Sequence, residues 1–412
     1  TAQGYEGSDL EPENFLKPKE WSAYQAGSEY NWLDEASRTG NTQNYQLSVS
    51  GAGDKFNYYV SANHYSQKGI LKGDDFTRTS VLAKLEATVN DYIKAGINVS
   101  GNIRDYSGIG PDMYQATYLG PWGYMNSTEV GYENWLERYP GGNTTWSNPL
   151  WSSYGVDDKD TRYGASLKSF AEFKLPWVEG LSWRVNAAYN LSQVKQGRFN
   201  HENHYVNTMR LTEMRDPSMF LKNANGNSRS NNGNSWLMNQ IINYNRTFGL
   251  HKIDLTLMSE RQRSHSDGVY ASASDFEQAG TTVLGYNSLE LGNVEKRGVD
   301  SYKTQSSQLA YMGRVNYVYK NRYHGSASFR RDGFSAFGEG HKFGNFYSGA
   351  LAWTITEEDF MKNDILNYMK LRFSYGENGN PSIASYSTFP TIGYGAYIFG
   401  TEYVKSMYQN KL

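Results

Sequence analysis

Three places in the chain gather side chains with catalytic potential. In Phe329 to Gly333 two arginines and an aspartate, Arg330, Arg331 and Asp332, crowd one short stretch beside a glycine. An Arg-Asp pair suits a phosphotransfer loop, yet no glycine-rich phosphate loop precedes it and no asparagine follows at kinase spacing. Strand alternation sends Arg330 and Asp332 to one face and Phe329 and Arg331 to the other, so the stretch reads as a rim salt bridge pinning a hairpin. His201 and His204 flank Glu202 and Asn203. They stand three apart, whereas zinc proteases need histidines four apart and a third ligand elsewhere. They read as a solvated rim. Asp157, Asp158, Asp160, Glu339, Glu357 and Glu358 offer carboxylates, but glycoside hydrolysis needs two of them roughly 5 to 10 Å apart across a sugar, and sequence does not show such a meeting. No catalytic, metal or cofactor residue is expected.

The richest stretch is 107–161, where tryptophans and tyrosines mix with Gly, Asn and Pro. Aromatic faces stack on sugars, clamp peptides, or sit where one protein surface caps another. A loop of this length also needs aromatic residues for its own small core. Trp122, Tyr124, Trp135, Trp146 and Trp151 are the candidates for ligand or lid contact. The Asn/Gly/Ser run 223–235 reads as an outer loop.

What must position these residues is a β architecture. Apolar and polar residues alternate with period two, the mark of a strand with one wet and one greasy face. Val81, Ala83, Leu85, Ala87 and Val89 oppose Lys84, Glu86 and Thr88; Ile93, Ala95, Ile97, Val99 and Ile103 oppose Asn98, Ser100 and Arg104. The same holds for Leu181 to Leu191 against Arg184, Asn186 and Asn190, and for Leu371, Phe373 and Tyr375 against Arg372. About twelve such strands are expected, mostly near the roughly ten-residue length that crosses a bilayer with tilt. Only 20–38 offers a short helix.

Composition narrows the class. The 412 residues carry a net charge of -2, so no pull toward nucleic acid exists and no nucleic-acid partner is expected. With no cysteine there is no disulfide or thiolate metal site. A mean hydropathy of -0.71 and the lack of a long apolar run exclude transmembrane helices, but not a membrane barrel, whose alternating strands escape hydropathy averaging. Tyr, at 34 residues, outnumbers Phe and Trp, and suits boundaries between water and lipid. Thr1 is no initiator and no signal peptide is visible, so the chain reads as a piece of something longer.

Connection lengths carry more than the strands do. Short links fall at 51–55, 90–92, 176–180, 249–252, 320–322 and 357–364. Longer ones fall between them, at 69–76, 107–161, 196–234, 264–306 and 333–344. An up-and-down meander with one trimmed and one elaborated end has this parity; a soluble sandwich or propeller need not, and its strands are shorter.

Two blocks then resemble a known family. Asn44 to Gly51, Asn57 to Ser61 and Gln67 to Ile70, with Trp32 to Glu35 upstream, resemble the start of the barrel in SusC/RagA-family TonB-dependent transporters. Tyr311 to Tyr317, Ser328 to Gly333, Phe337, Gly338, Ala352, Trp353, Glu357 to Met361 and Leu371 to Gly379 resemble a later run of the same family, in order and with similar spacing. The resemblance implies an all-β fold: an antiparallel transmembrane β-barrel segment, part of a larger plugged barrel with long extracellular loops and short periplasmic turns. It implies TonB-dependent import of oligosaccharide or peptide across the outer membrane of Bacteroidota-type bacteria, together with a SusD-like surface lipoprotein. TonB would be reached through a missing N-terminal region, and outer-membrane lipid would contact the wall. Residues 1–41 would belong to one extracellular loop, 42–380 to barrel strands and their loops, and 381–412 to the start of a further loop. Plug, TonB box and closing strands are not found. Arg104, Arg184, Arg314 and Arg372 would face the lumen or the plug. The competing reading is a soluble secreted all-β carbohydrate-binding protein or glycosidase, which would bury Ile97 and Val99 in a dry core; a passive porin is a third.

Overall fold

A computed structural model of the chain describes residues 12–126, 128, 136–143, 145–151, 153, 156–200, 224–276, 284–361, 366–390 and 392–409. Twelve strands form one antiparallel sheet in which each pairs only with its chain neighbours. They are β1 Asn41–Ala52, β2 Phe56–Lys68, β3 Asp75–Asn90, β4 Ile93–Asp105, β5 Val156–Lys174 and β6 Leu181–Asn200. There follow β7 Asn225–Phe248, β8 His251–Ser274, β9 Gly298–Tyr319, β10 Tyr323–Phe334, β11 Phe343–Thr354 and β12 Lys370–Gly376. A separate hairpin joins β13 Ile392–Phe399 to β14 Glu402–Gln409. Among the described residues the outer edges of β1 and β12 have no strand partner.

The register puts the predicted faces together. Lys84 faces Asn98 and Asn98 faces Lys168 across β3, β4 and β5, while Leu85 faces Ile97 and Val99 faces Leu167. The apolar face is the open one: Ile97 is 43% and Val99 48% exposed, and Leu47, Val81, Leu191 and Phe373 are exposed with them. Among the described residues no dry core lies between sheets, and Ile97 and Val99 do not have the burial a soluble sandwich would give them. On β4, β6 and β9 the outward apolar run covers about ten residues, which at roughly 3.4 Å per residue and a tilt near 40° spans about 25 Å. Aromatics frame the run. By the short turns Phe173 stacks on Trp183 at 5.4 Å and His251 lies tilted against Tyr319 at 4.8 Å, and Phe329 lies 5.2 Å from Tyr347 toward the long loops.

Strands run longer than alternation predicts; β7 and β8 have 24 residues each. The links drawn from sequence as 196–234 and 264–306 shrink accordingly to 201–224 and 275–297. Residues 225–235 are strand, not outer loop. Their Asn, Ser and Gly content disfavours a strand by propensity, but every one of them pairs with β6 or β8, and a centrally placed ladder satisfies backbone groups whatever the side chains are.

Two turns show how local geometry closes hairpins. Lys320 and Asn321 both have positive φ (53° and 58°), and Arg322 N–H donates to Tyr319 C=O at 2.9 Å. This is a type I′ turn, whose twist matches the flanking strands. Gly180, at φ +87°, lets the link between β5 and β6 pass so close to β7 that its carbonyl accepts from Asn245 N–H at 2.9 Å.

Candidate functional site

Two surfaces collect functional side chains: the polar face of the sheet and the large loop between β4 and β5. On the polar face, hydrogen bonds run across strands. Asn186 donates to Asn239 at 2.7 Å, and Ser166 to Asn190 at 2.7 Å. Arg184 donates to Glu172 at 3.0 Å and lies 4.0 Å over the Phe170 ring. Arg104, Arg184, Arg314 and Arg372 all share this face by register. A wall so polar is stable only where water or another polar surface meets it.

Arg330 and Asp332 also lie on that face. Arg330 Nε donates to Asp332 at 2.8 Å, and its Nη2 reaches Glu260, two strands away, at 3.8 Å. The bridge therefore ties β10 to β8. It does not pin the β10–β11 hairpin, because β11 offers only Gly344 and Phe346 opposite Asp332 and Arg330. Arg331 points the other way and its guanidinium lies 4.8 Å from the Phe343 ring. A pocket of about 140 Å³ opens beside the bridge, walled by Phe334, Phe346 and Pro381. Sequence reasoning missed it because four strands and two loops supply its lining, from Glu260 to Pro381, at no recognisable spacing.

The large loop folds with the segment that precedes β1. Helix α2 Trp32–Ala36 packs on α3 Met113–Tyr118, and helix α1 Pro18–Gln25 meets the loop beyond it at Trp122 and Tyr124. The expected helix over 20–38 is thus two, divided by Gly27 at φ +67°. Asp112 caps α3 by accepting from Tyr114 N–H and Gln115 N–H. Trp32 is buried with Ala36 and Ala116, and its indole donates to Gly120 C=O at 2.8 Å.

The five aromatic candidates fall into different environments. Trp122 packs edge-on against Tyr24 at 5.4 Å, and the Tyr124 hydroxyl meets Ser22 Oγ at 3.1 Å. Trp151 is buried, with the Arg138 guanidinium 5.8 Å from its ring. These three hold the loop together. Trp146 stacks on Tyr118 at 5.0 Å with 11° between planes and lies 5.8 Å from Tyr114. Both tyrosines are more than half exposed, so this group presents aromatic area outward. Trp135 lies outside the described residues, as do His201 and His204.

The carboxylates do not converge into an acid pair. Asp160 accepts both Arg162 nitrogens, at 2.9 and 2.7 Å. Glu358 accepts from Arg322 at 2.8 Å, Tyr323 at 2.6 Å and Trp353 at 3.1 Å. Among the described residues no cluster of three or more metal-ligating side chains occurs.

Comparison with known proteins now bears on these surfaces. No family model matches the chain. TonB-dependent receptor P3 of Formosa agariphila is 27% identical over 380 residues, covering 88% of this chain and 35% of that protein. TonB-dependent receptor SusC of Bacteroides thetaiotaomicron is 26% identical over 399 residues, covering 90% of this chain and 37% of that protein. Among solved structures, the RagAB peptide transporter superposes with a TM-score of 0.72 at 20% identity, over 93% of this chain and 42% of that one. The RagAB importer in its open-open state gives 0.74 at 18% identity, over 92% and 41%. The chain spans about a third of the length of the curated relatives it matches. The chain, with its twelve antiparallel strands, is thus similar in sequence to TonB-dependent receptors that include SusC, and similar in fold to the RagAB transporter barrel.

Proposed function

We propose that these twelve strands are wall segments of an outer-membrane importer that takes up nutrient oligomers, oligosaccharide or peptide, with energy delivered through TonB. The observation that carries the reading is the exposed apolar band: among the described residues nothing covers a face of that height, and lipid fits it. The receptor names of the curated relatives support the transport role, and the RagAB likeness supports a barrel. The links at 53–55, 91–92, 175–180, 249–250, 320–322 and 355–369 lie on the periplasmic side. The loop between β4 and β5, with residues 1–41, lies outside the cell.

A SusD-like lipoprotein closes over the loop end, and the exposed Tyr114 and Tyr118, with the half-buried Trp146 stacked beside them, are where it or the cargo makes contact. Further strands pair with β1 and β12, and a plug occupies the polar interior. The test is fractionation and uptake with the full-length protein in its host. The protein is expected in the detergent-dependent outer-membrane fraction, with uptake of a labelled oligomer abolished by a protonophore. Recovery in the soluble periplasm would overturn the reading.

A further inference from the structure

On the polar face, at the loop-bearing end of β3, β4 and β5, three arginines stand in one row. Arg78 is the cross-strand partner of Arg104, and Arg104 of Arg162. Like charges directly opposite one another repel, and arginine cannot escape by losing its proton. One carboxylate answers three guanidiniums: Asp160 holds Arg162 bidentately and also accepts from Gln196 at 3.0 Å. Among the described residues no ion-pair partner stands beside Arg104, and its Nε is buried without a hydrogen-bond acceptor. Elsewhere on the same wall two guanidiniums do have carboxylates, Arg184 with Glu172 and Arg330 with Asp332 and Glu260, and no other row among the described residues there sets three arginines side by side.

Aromatic rings flank the row in place of acids. Arg78 lies 5.7 Å from the Tyr65 ring, Arg162 lies 4.6 Å from Tyr106, and Phe76 packs on Tyr106 at 4.8 Å. Such rings fix the guanidinium planes without neutralising them. The row below is small and polar, with Ser80, Asn102, Gly164 and Ser192 in register, and Asn102 Oδ1 has no hydrogen-bond partner. The result is a held, uncompensated row of planar donors beside short side chains. Its complement is a group with several oxygens and a negative charge.

We propose that Arg78, Arg104 and Arg162 form an oxyanion-binding stripe on the inner wall that engages acidic groups of the cargo, so that the cargo is a carboxylated or sulfated oligomer and not a neutral one. This rests on the import reading for the word cargo. The row lies at the long-loop end, where that reading has material entering, which favours a cargo group over a carboxylate of the plug.

The test uses the full-length protein in detergent, titrated calorimetrically with oligogalacturonate, with sulfated dextran and with neutral dextran of matched length. At least one acidic probe is expected to bind about tenfold or more tighter than neutral dextran, with the preference weakening at high salt. The double variant Arg78→Gln, Arg104→Gln should lose that preference, and Arg104→Lys should keep part of it. Equal binding of acidic and neutral probes, no acidic binding, or a preference that survives the double variant would each overturn the proposal. So would a double variant that binds normally but melts lower, because that assigns the stripe to holding the plug. Since binding is read without an energised membrane, a protein that binds acidic probes but imports nothing in cells would sink the import reading and leave the stripe standing.

Discussion

Glu358 shows what one side chain does here. It receives Arg322 from the β9–β10 link, Tyr323 from β10 and Trp353 from β11, so it joins two neighbouring turns. The Tyr323 hydroxyl, with the Trp353 indole and the Arg322 charge, holds its carboxyl below the ordinary range. A depressed folded pKa means the stabilisation is present above the unfolded pKa and is lost as pH falls through the folded one. The melting temperature of the full-length protein in detergent should therefore drop more steeply than that of Glu358→Gln once pH falls below the ordinary glutamate range, and Glu358→Gln should already melt lower at pH 7. A second residue-scale contrast concerns faces. Val99→Arg puts a charge into the lipid-facing band and should cost about 2–4 kcal/mol, whereas Ser100→Arg, one position on and facing the polar side, should be near neutral; urea unfolding in bilayers measures both. In the large loop, Trp151→Ala should raise protease sensitivity because it empties a core position, while Trp146→Ala should leave proteolysis unchanged.

Among elements, the hairpins divide into those that need a particular residue and those that tolerate others. At Gly180 a Cβ would lie 2.0 Å from the Asn245 carbonyl oxygen, and φ is positive. Gly180→Ala should thus shift the β5–β6 link against β7 and cost well above the roughly 1–2 kcal/mol of left-handed strain alone. Gly249 has positive φ but nothing within 4 Å of a Cβ, so Gly249→Ala should cost only about that strain. Heat-modifiability on gels, compared for the two variants, separates clash from strain. The parity of links was legible because loop length needs no geometry to read. Strand ends were not: above the lipid both faces are wet, so Lys195, Asn231 and Asp267 carry no alternation to mark where pairing stops.

For the whole molecule, what matters is which face meets which medium. Trp183 and Trp236 lie on the apolar face, on the wall's two aromatic margins, while Trp151 is buried in the large loop. Reconstituted in brominated phosphatidylcholine, the full-length protein should lose tryptophan emission, and the double replacement Trp183→Phe, Trp236→Phe should remove much of that quenching. Trp151→Phe should leave it unchanged. A fold with the apolar face turned inward would show the reverse dependence.

Alternation in stretches such as Ile93 to Ile103 determined strand, face and approximate number, because a period of two leaves a residue only two directions to point. Link parity determined the up-and-down order for a similar reason: each reversal must fall at one end or the other. Tertiary structure alone decided the encounters between strands. The register brought Arg78, Arg104 and Arg162 into one row, tied Arg330 to Glu260 across an intervening strand, and sorted Trp151 into a core and Trp146 onto a surface. Pairing register and loop packing depend on contacts between residues far apart in the chain, and no local pattern at any one of them records who the neighbour will be.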